Sequence, residues 1–247
     1  MRAWLKSLVQ RQLARRGLRL TYSRNDLWPP DFDLLSILIE SHFRSTPPRS
    51  LVQIGANDGV TNDPVDAIIR RHDLLAVRVE PLPEPFAKLQ SRHHGDQQVR
   101  TVQAAVGARD GQCPIWRIEA PGSQQLRLST IASFDRSVIE KHYARYSSRG
   151  GKLVQQQVDV ISPSSLVERF LPAGVGVDIL QIDTEGHDAV IVGLFLDAGL
   201  RPLLINYEHN NLTGDDDGIC LKRLRSEGYR LARYGRDTVA LRDRQRA

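Results

Sequence analysis

With 247 residues, 40% apolar and 26% charged, the chain is long enough for one sizeable α/β domain and short for two, and its composition excludes a disordered or fibrous polymer. No apolar run reaches the roughly 18 residues of a membrane-spanning helix, and Arg and Gln break every short hydrophobic stretch of the signal-peptide-core kind near the N-terminus. The net charge of +5 is uneven: seven Lys and Arg and no acid fall within residues 1–24, so the remainder sums to −2.

The basic character therefore belongs to an N-terminal arm and not to the folded body, and no nucleic-acid partner is expected. Cys113 and Cys220 stand far apart without a CxxC pair, which argues against a zinc site or a disulfide framework. The cytoplasm is the expected compartment.

Residues 1–48 read as a basic, helical extension, and residues 49–247 as the catalytic-type domain. Within residues 3–16, Trp4, Leu5, Leu8, Val9 and Leu13 recur at helical spacing with Arg and Lys opposite. That pattern suits a peripheral helix packed on the domain; it equally leaves open a contact with the inner face of a membrane through residues 1–24. Asp31 and Asp33 open a second helix that Pro47-Pro48 stops.

From residue 51 onward, short apolar runs alternate with amphipathic segments. Leu51–Ile54, Leu75–Val79, Val99–Gln103, Ile179–Ile182 and Leu203–Tyr207 read as strands, and segments near 62–71, 83–91, 163–171, 187–199 and 216–227 as helices. This alternation implies right-handed crossovers and a mostly parallel sheet with helices on both faces. Tyr229–Arg233 and Thr238–Leu241 close the chain as a hairpin. An insertion at about 107–162, with possible strands Pro114–Ile118 and Leu153–Val160, is expected to shape an acceptor pocket.

Three motifs carry chemistry. In Leu51-Val52-Gln53-Ile54-Gly55-Ala56-Asn57-Asp58-Gly59 an apolar strand runs into a turn with glycines four apart, where a ligand can approach bare backbone. The G-x-G-x-x-G dinucleotide fingerprint is missing, which speaks against a nicotinamide cofactor. The next strand ends in Glu80-Pro81, an acid where such folds bond a ribose diol. Turn and acid together point to a nucleoside ligand. The third motif, Asp178-Ile179-Leu180-Gln181-Ile182-Asp183-Thr184-Glu185-Gly186-His187-Asp188, packs acids and a His at a strand end facing the same crevice. Asp188 reads as a helix-capping acid, which leaves Asp183, Glu185 and His187 as site residues. Asn206-Tyr207-Glu208-His209-Asn210-Asn211 borders the crevice from the other side.

Together these elements, from about Leu51 to Leu241, resemble the FkbM family of S-adenosylmethionine (SAM)-dependent methyltransferases. The resemblance rests on LVQIGANDG, the VRVEP strand end, LQIDTEGHDAVIVGL, the INYEHN strand end and the GYRL…DTVALR hairpin. It implies a Rossmann-like class I fold, a seven-stranded sheet whose last strand is antiparallel, and transfer of a methyl group to a hydroxyl on a sugar, glycan or secondary metabolite. By position, Gly55, Ala56, Asn57 and Gly59 line the methionine part of the cofactor, Glu80 with Pro81 holds the ribose, and Ala105 lies near adenine. Gln53 departs from the acid that many methyltransferases carry there. A hydroxyl acceptor needs a base, and His187 or Asp183 is assigned that task with Glu185 or Glu208 orienting it. Mg²⁺ is compatible with Asp183 and Glu208 but no ligand spacing indicates it. The readings that stay open are a SAM-binding module without chemistry and a membrane- or RNA-associated protein acting through the arm.

Overall fold

The computed structural model describes residues 33–119, 132–146 and 151–243. The expected helix at 3–16 and the basic arm of residues 1–24 lie outside them. In chain order the described elements are α1 (Leu34–His42), β1 (Ser50–Ile54), α2 (Asp66–His72), β2 (Leu75–Val79), α3 (Pro83–Arg92), β3 (Val99–Val102), β4 (Ala105–Val106), β5 (Gly111–Glu119) and β6 (Ala132–Ser133). There follow α4 (Arg136–Tyr146), β7 (Lys152–Ile161), α5 (Pro163–Phe170), β8 (Ile179–Ile182), α6 (Asp188–Asp197), β9 (Leu204–Glu208), α7 (Gly214–Ser226), β10 (Arg230–Tyr234) and β11 (Asp237–Leu241).

Seven strands form one sheet in the order β10-β11-β9-β8-β1-β2-β3. β1, β2, β3, β8 and β9 are parallel, while β11 runs antiparallel to both of its neighbours. β1 is buried along its whole length, as a central parallel strand with helices over both faces must be. Alternation along the strands divides the core. Leu51, Ala76, Ile179 and Leu204 meet Leu35 and Ile39 of α1, Phe43 just past it, and Ile68 and Ile69 of α2 on one face. Val52, Val77, Leu180 and Ile205 meet Leu166, Ile191, Phe195 and Leu224 of α5, α6 and α7 on the other. The helix read as part of the N-terminal extension thus packs into the domain, and the compact unit runs from Leu35.

The insertion folds as a second sheet, β4-β7-β5-β6. It starts two residues beyond β3, at the carboxyl end of the main sheet. β5 and β7 pair antiparallel over nine residues, from Gly111↔Val160 to Glu119↔Lys152, longer than the strands expected there. Val102 ends β3 one residue earlier than expected.

Candidate active site

The register of the main sheet places the motif residues in a row. Ile54 is paired with Val79 on one side and with Ile182 on the other, Ile182 with Tyr207, and Glu208 with Asp237. One step past these pairs, Glu80, Gly55 and Asp183 stand side by side at the strand ends, and Glu208 and Asp237 continue the row. Strand order reverses between β1 and β8, which is where open α/β sheets bind ligands.

Gly55 is required at the centre of the row. Its φ is +80°, and a Cβ there would lie 1.8 Å from the carbonyl oxygen of Asp183. Its N–H and that of Ala56 both donate to Val79 O, at 2.9 and 3.0 Å, while Asp183 N–H donates to Ile54 O at 2.9 Å. The first turn and the Asp183 backbone are therefore locked together.

Glu80 sits under the turn, buried, and accepts from the Asn57 and Leu82 amides at 2.9 Å each. Burial pushes its carboxyl up to about 7 despite these two bonds. Asn57 has a φ of +49°, and its Oδ1 is buried with no hydrogen-bond partner. A cationic nucleoside cofactor fits this turn: its ammonium or hydroxyl donors would satisfy Asn57 Oδ1, and ribose hydroxyls would share the remaining lone pairs of Glu80. Ala56 and Gly59 present no side chain to a ligand. Ala56 packs on Phe86 and Leu89 of α3, and a Cβ on Gly59 would meet Leu89 Cδ1 at 2.8 Å. Pro81 is partly exposed between Glu80 and Leu82, and Ala105 is buried with Leu82, Ile115 and Val158.

Gln53 faces away from the row. Its Oε1 accepts from Arg78 Nε at 2.8 Å, and its Nε2 donates to Asp63 Oδ1 at 3.3 Å. Arg78 is fully buried; it pairs with Asp63 and donates to Asp66 Oδ1 at 3.4 Å and His93 Nε2 at 2.8 Å. A guanidinium only donates, so His93 Nε2 carries no proton. Burial, then the Arg78 charge, hold His93 below the usual histidine range. The uncharged Gln53 thus belongs to a buried ionic network beneath the turn. Nothing in the sequence announced that network, because an Arg inside an apolar strand reads as an outward-facing residue.

The second half of the row is acidic. Asp188 is buried and its Oδ2 accepts from Thr184 Oγ1 at 3.0 Å, Thr184 N at 3.4 Å and Gly186 N at 3.3 Å; its Oδ1 accepts from Glu208 N at 3.2 Å. It holds the turn closed; its bonds go to the turn and to β9, and it makes no cap on α6, whose N-cap is His187 without a side-chain bond. Glu185, at φ +51°, shares Asn211 with Glu208: Asn211 Nδ2 donates to Glu185 Oε2 at 2.9 Å and to Glu208 Oε2 at 2.7 Å. Burial and the charges of Glu185 and Asp188 push Glu208 up to about 7, against a loose contact of 3.7 Å with Arg236. Asp183 remains open to solvent. The protein packed around it, then the carboxylates of Asp188, Glu208, Glu185 and Asp237, push its carboxyl well above the ordinary range. Among the described residues no group of three or more His, Cys, Asp or Glu is placed to hold a metal ion.

His187 packs its ring on Phe134 of the insertion, with centroids 4.5 Å apart, and burial lowers its pKa. Ser133 Oγ donates to Glu185 O at 3.1 Å. The inserted sheet is thereby fastened to the acidic turn. His209 turns to Thr238 Oγ1 at 3.1 Å and does not join His187.

A doubly wound sheet of this strand order, with one reversed strand and a glycine turn beside an acid at the switch point, defines a Rossmann-like methyltransferase fold. The chain belongs to the family of the methyltransferase FkbM domain, whose model matches residues 53–231. Among solved structures it is similar to methyltransferase FkbM from Methylobacillus flagellatus KT (9% identity, TM-score 0.46, 79% of this chain and 44% of that one). It is also similar to the METTL16 methyltransferase domain (10%, 0.46, 92% and 74%) and to Aeropyrum pernix fibrillarin in complex with natively bound S-adenosyl-L-methionine (13%, 0.40, 84% and 74%). The chain spans less than half the length of the Methylobacillus protein. No curated protein matches it.

Proposed function

We propose that the chain is a SAM-dependent O-methyltransferase acting on a small-molecule or carbohydrate hydroxyl. The observation that carries this reading is the row itself: a nucleoside-binding end at Glu80 and Asn57, and a proton-accepting end at Asp183 and Glu208, about two to three strand spacings of roughly 4.8 Å apart. SAM supplies an electrophilic methyl group on a sulfonium. The Gly55 turn and Glu80 hold and orient the cofactor, and orientation alone is worth several kcal/mol.

Asp183 is the proposed general base. Its raised pKa makes it a stronger proton acceptor than an ordinary carboxylate, which suits removal of the hydroxyl proton as the new bond forms, a contribution of about 10²–10⁴-fold. Asp188 fixes the turn that carries Asp183, while Glu208 and Glu185, tied through Asn211, keep the charge density that raises it. His187, neutral and stacked on Phe134, forms the wall beside the base. The free thiols of Cys113 and Cys220 suit a reducing cytoplasmic setting.

Calorimetric titration with SAM tests the cofactor, and Glu80→Ala should weaken binding at least tenfold. Asp183→Asn should keep SAM affinity within about threefold and lose about 10²-fold or more in turnover. A folded protein that does not bind SAM would overturn the function, and undiminished turnover in Asp183→Asn would overturn the base.

A further inference from the structure

We propose that Arg117 and Gln156, on one face of the inserted sheet, form the subsite that holds a neutral, hydroxyl-rich methyl acceptor; this rests on the reading of the chain as an O-methyltransferase. The pairs Ile115↔Gln156 and Arg117↔Val154 put these four residues on the same face. That face packs, through Ile115 and Val158, on Leu82 and Phe134. Leu82 lies two residues beyond Glu80, and Phe134 touches His187. The opposite face is spent on α4, where Ile118 and Trp116 meet Ile139 and Tyr143. Arg117 therefore belongs to the wall that joins the two ends of the active-site row.

Its environment is unusual for a structural arginine. The side chain is only 12% exposed, yet among the described residues the guanidinium makes no hydrogen bond. Glu84 and Glu119 stand at 3.6 and 3.9 Å, both themselves half exposed, and Glu119 is engaged instead by Lys152 at 2.9 Å. Arg117 Nε and Gln156 Oε1 are buried without partners and do not bond to each other, although they are diagonal neighbours across the two strands. Unmade bonds of shielded polar groups cost stability, and a group retained at such a cost points to a ligand.

The surroundings select the ligand's chemistry. Glu84, Glu119 and the acidic row beyond His187 repel an anion. A hydroxyl both accepts from a guanidinium and donates to a carboxylate, so a polyol suits an arginine whose carboxylate neighbours stand at 3.6 and 3.9 Å, beyond hydrogen-bond distance. A small rotation of the guanidinium brings Nε to the ligand, and the loose carboxylates leave room for it.

The full chain saturated with SAM would be examined by saturation-transfer NMR with a panel of neutral methyl glycosides (gluco, galacto, manno) and methyl glucuronide as the acidic comparator. The wild type should transfer saturation to a neutral glycoside. In Arg117→Met and Arg117→Lys that signal should fall at least fivefold while SAM affinity stays within twofold and the melting temperature does not drop. A SAM-binding protein that engages no neutral glycoside, prefers the glucuronide, or gives equal signals in the variants would overturn the subsite. So would a large fall in melting temperature for both variants, because it would make Arg117 structural. Failure to bind SAM at all would instead overturn the O-methyltransferase reading.

Discussion

Arg78 and Arg117 both sit on strands and are both shielded from water, but their bonding differs. Arg78 donates to Gln53, His93 and Asp66 and pairs with Asp63, so its desolvation is offset by bonds in good geometry. Replacing it by Met would strand Asp63, whose side chain is only 3% exposed, with the Val65 amide and the Gln53 amide as its remaining partners. Breaking a buried pair from one side costs about 3–5 kcal/mol. Arg78→Met is therefore expected to lower the denaturant midpoint severely, in contrast to Arg117→Met. Equal stability of the Arg78→Met protein and the wild type would show that the network is dispensable.

Glu80 carries a prediction of its own. Burial holds it at about 7, so near neutrality it is about half protonated, whereas a ribose diol bonds best to the ionised form, both of whose oxygens accept. SAM affinity should weaken as pH falls below about 7, approaching tenfold per unit, and level off above about 8. Calorimetry across pH 5.5 to 8.5 would read this directly. Glu80→Gln should bind more weakly and lose the pH dependence; a retained slope would assign it to another group.

At the scale of elements, the acidic turn between β8 and α6 is held from two directions. Asp188 closes it from within, and the inserted sheet presses on it through Ser133 and Phe134. Phe134→Ala should leave SAM binding unchanged and lower kcat about tenfold, because small displacements of a base are costly. A change confined to SAM affinity would place Phe134 with the cofactor instead. The elements themselves were legible because period-two alternation and turn residues mark parallel strands plainly. β2 and β8 coincide with their expected bounds and β9 and β10 are displaced by one residue. The side-by-side placement of Glu80, Gly55 and Asp183 was legible because the candidate site lies at strand ends. Gln53 and Arg78 were not, since which partners a strand residue meets across the β1–β2 pair depends on α2 and α3 docking over them. Nor does spacing reveal that Glu185 and Glu208 meet through Asn211, a contact that forms only when β8 and β9 lie side by side.

Across the whole molecule, the row of carboxyls ties folding to pH. Glu80 and Glu208 lie near 7 and Asp188 and Asp237 near 6, all raised first by burial; in the unfolded chain each titrates at its ordinary value near 4. The folded state therefore holds protons that the unfolded state has released, and stability falls as pH rises through that window. His93, His187 and His209 act in the opposite sense, because burial lowers each below 6.5 and stability is lost as pH drops below that value. The two sets oppose each other between about 4.5 and 7.5. At 6.5 the histidines of the unfolded chain are still half protonated, and up to about 7.5 they offset part of the carboxyl effect. Raising the pH from 6.5 to 8 should therefore destabilise the cofactor-free protein by about 1 kcal/mol, a fall of about two to four degrees in melting temperature for a chain of this size. Glu80→Gln and Glu208→Gln together should reduce the slope, and Asp183, also raised by burial, retains a share of it. Saturating SAM should remove the Glu80 share alone, because a bound cofactor makes the ionised carboxylate the favoured form. A melting temperature that rises across the same range would mean that these carboxyls are already ionised in the folded state.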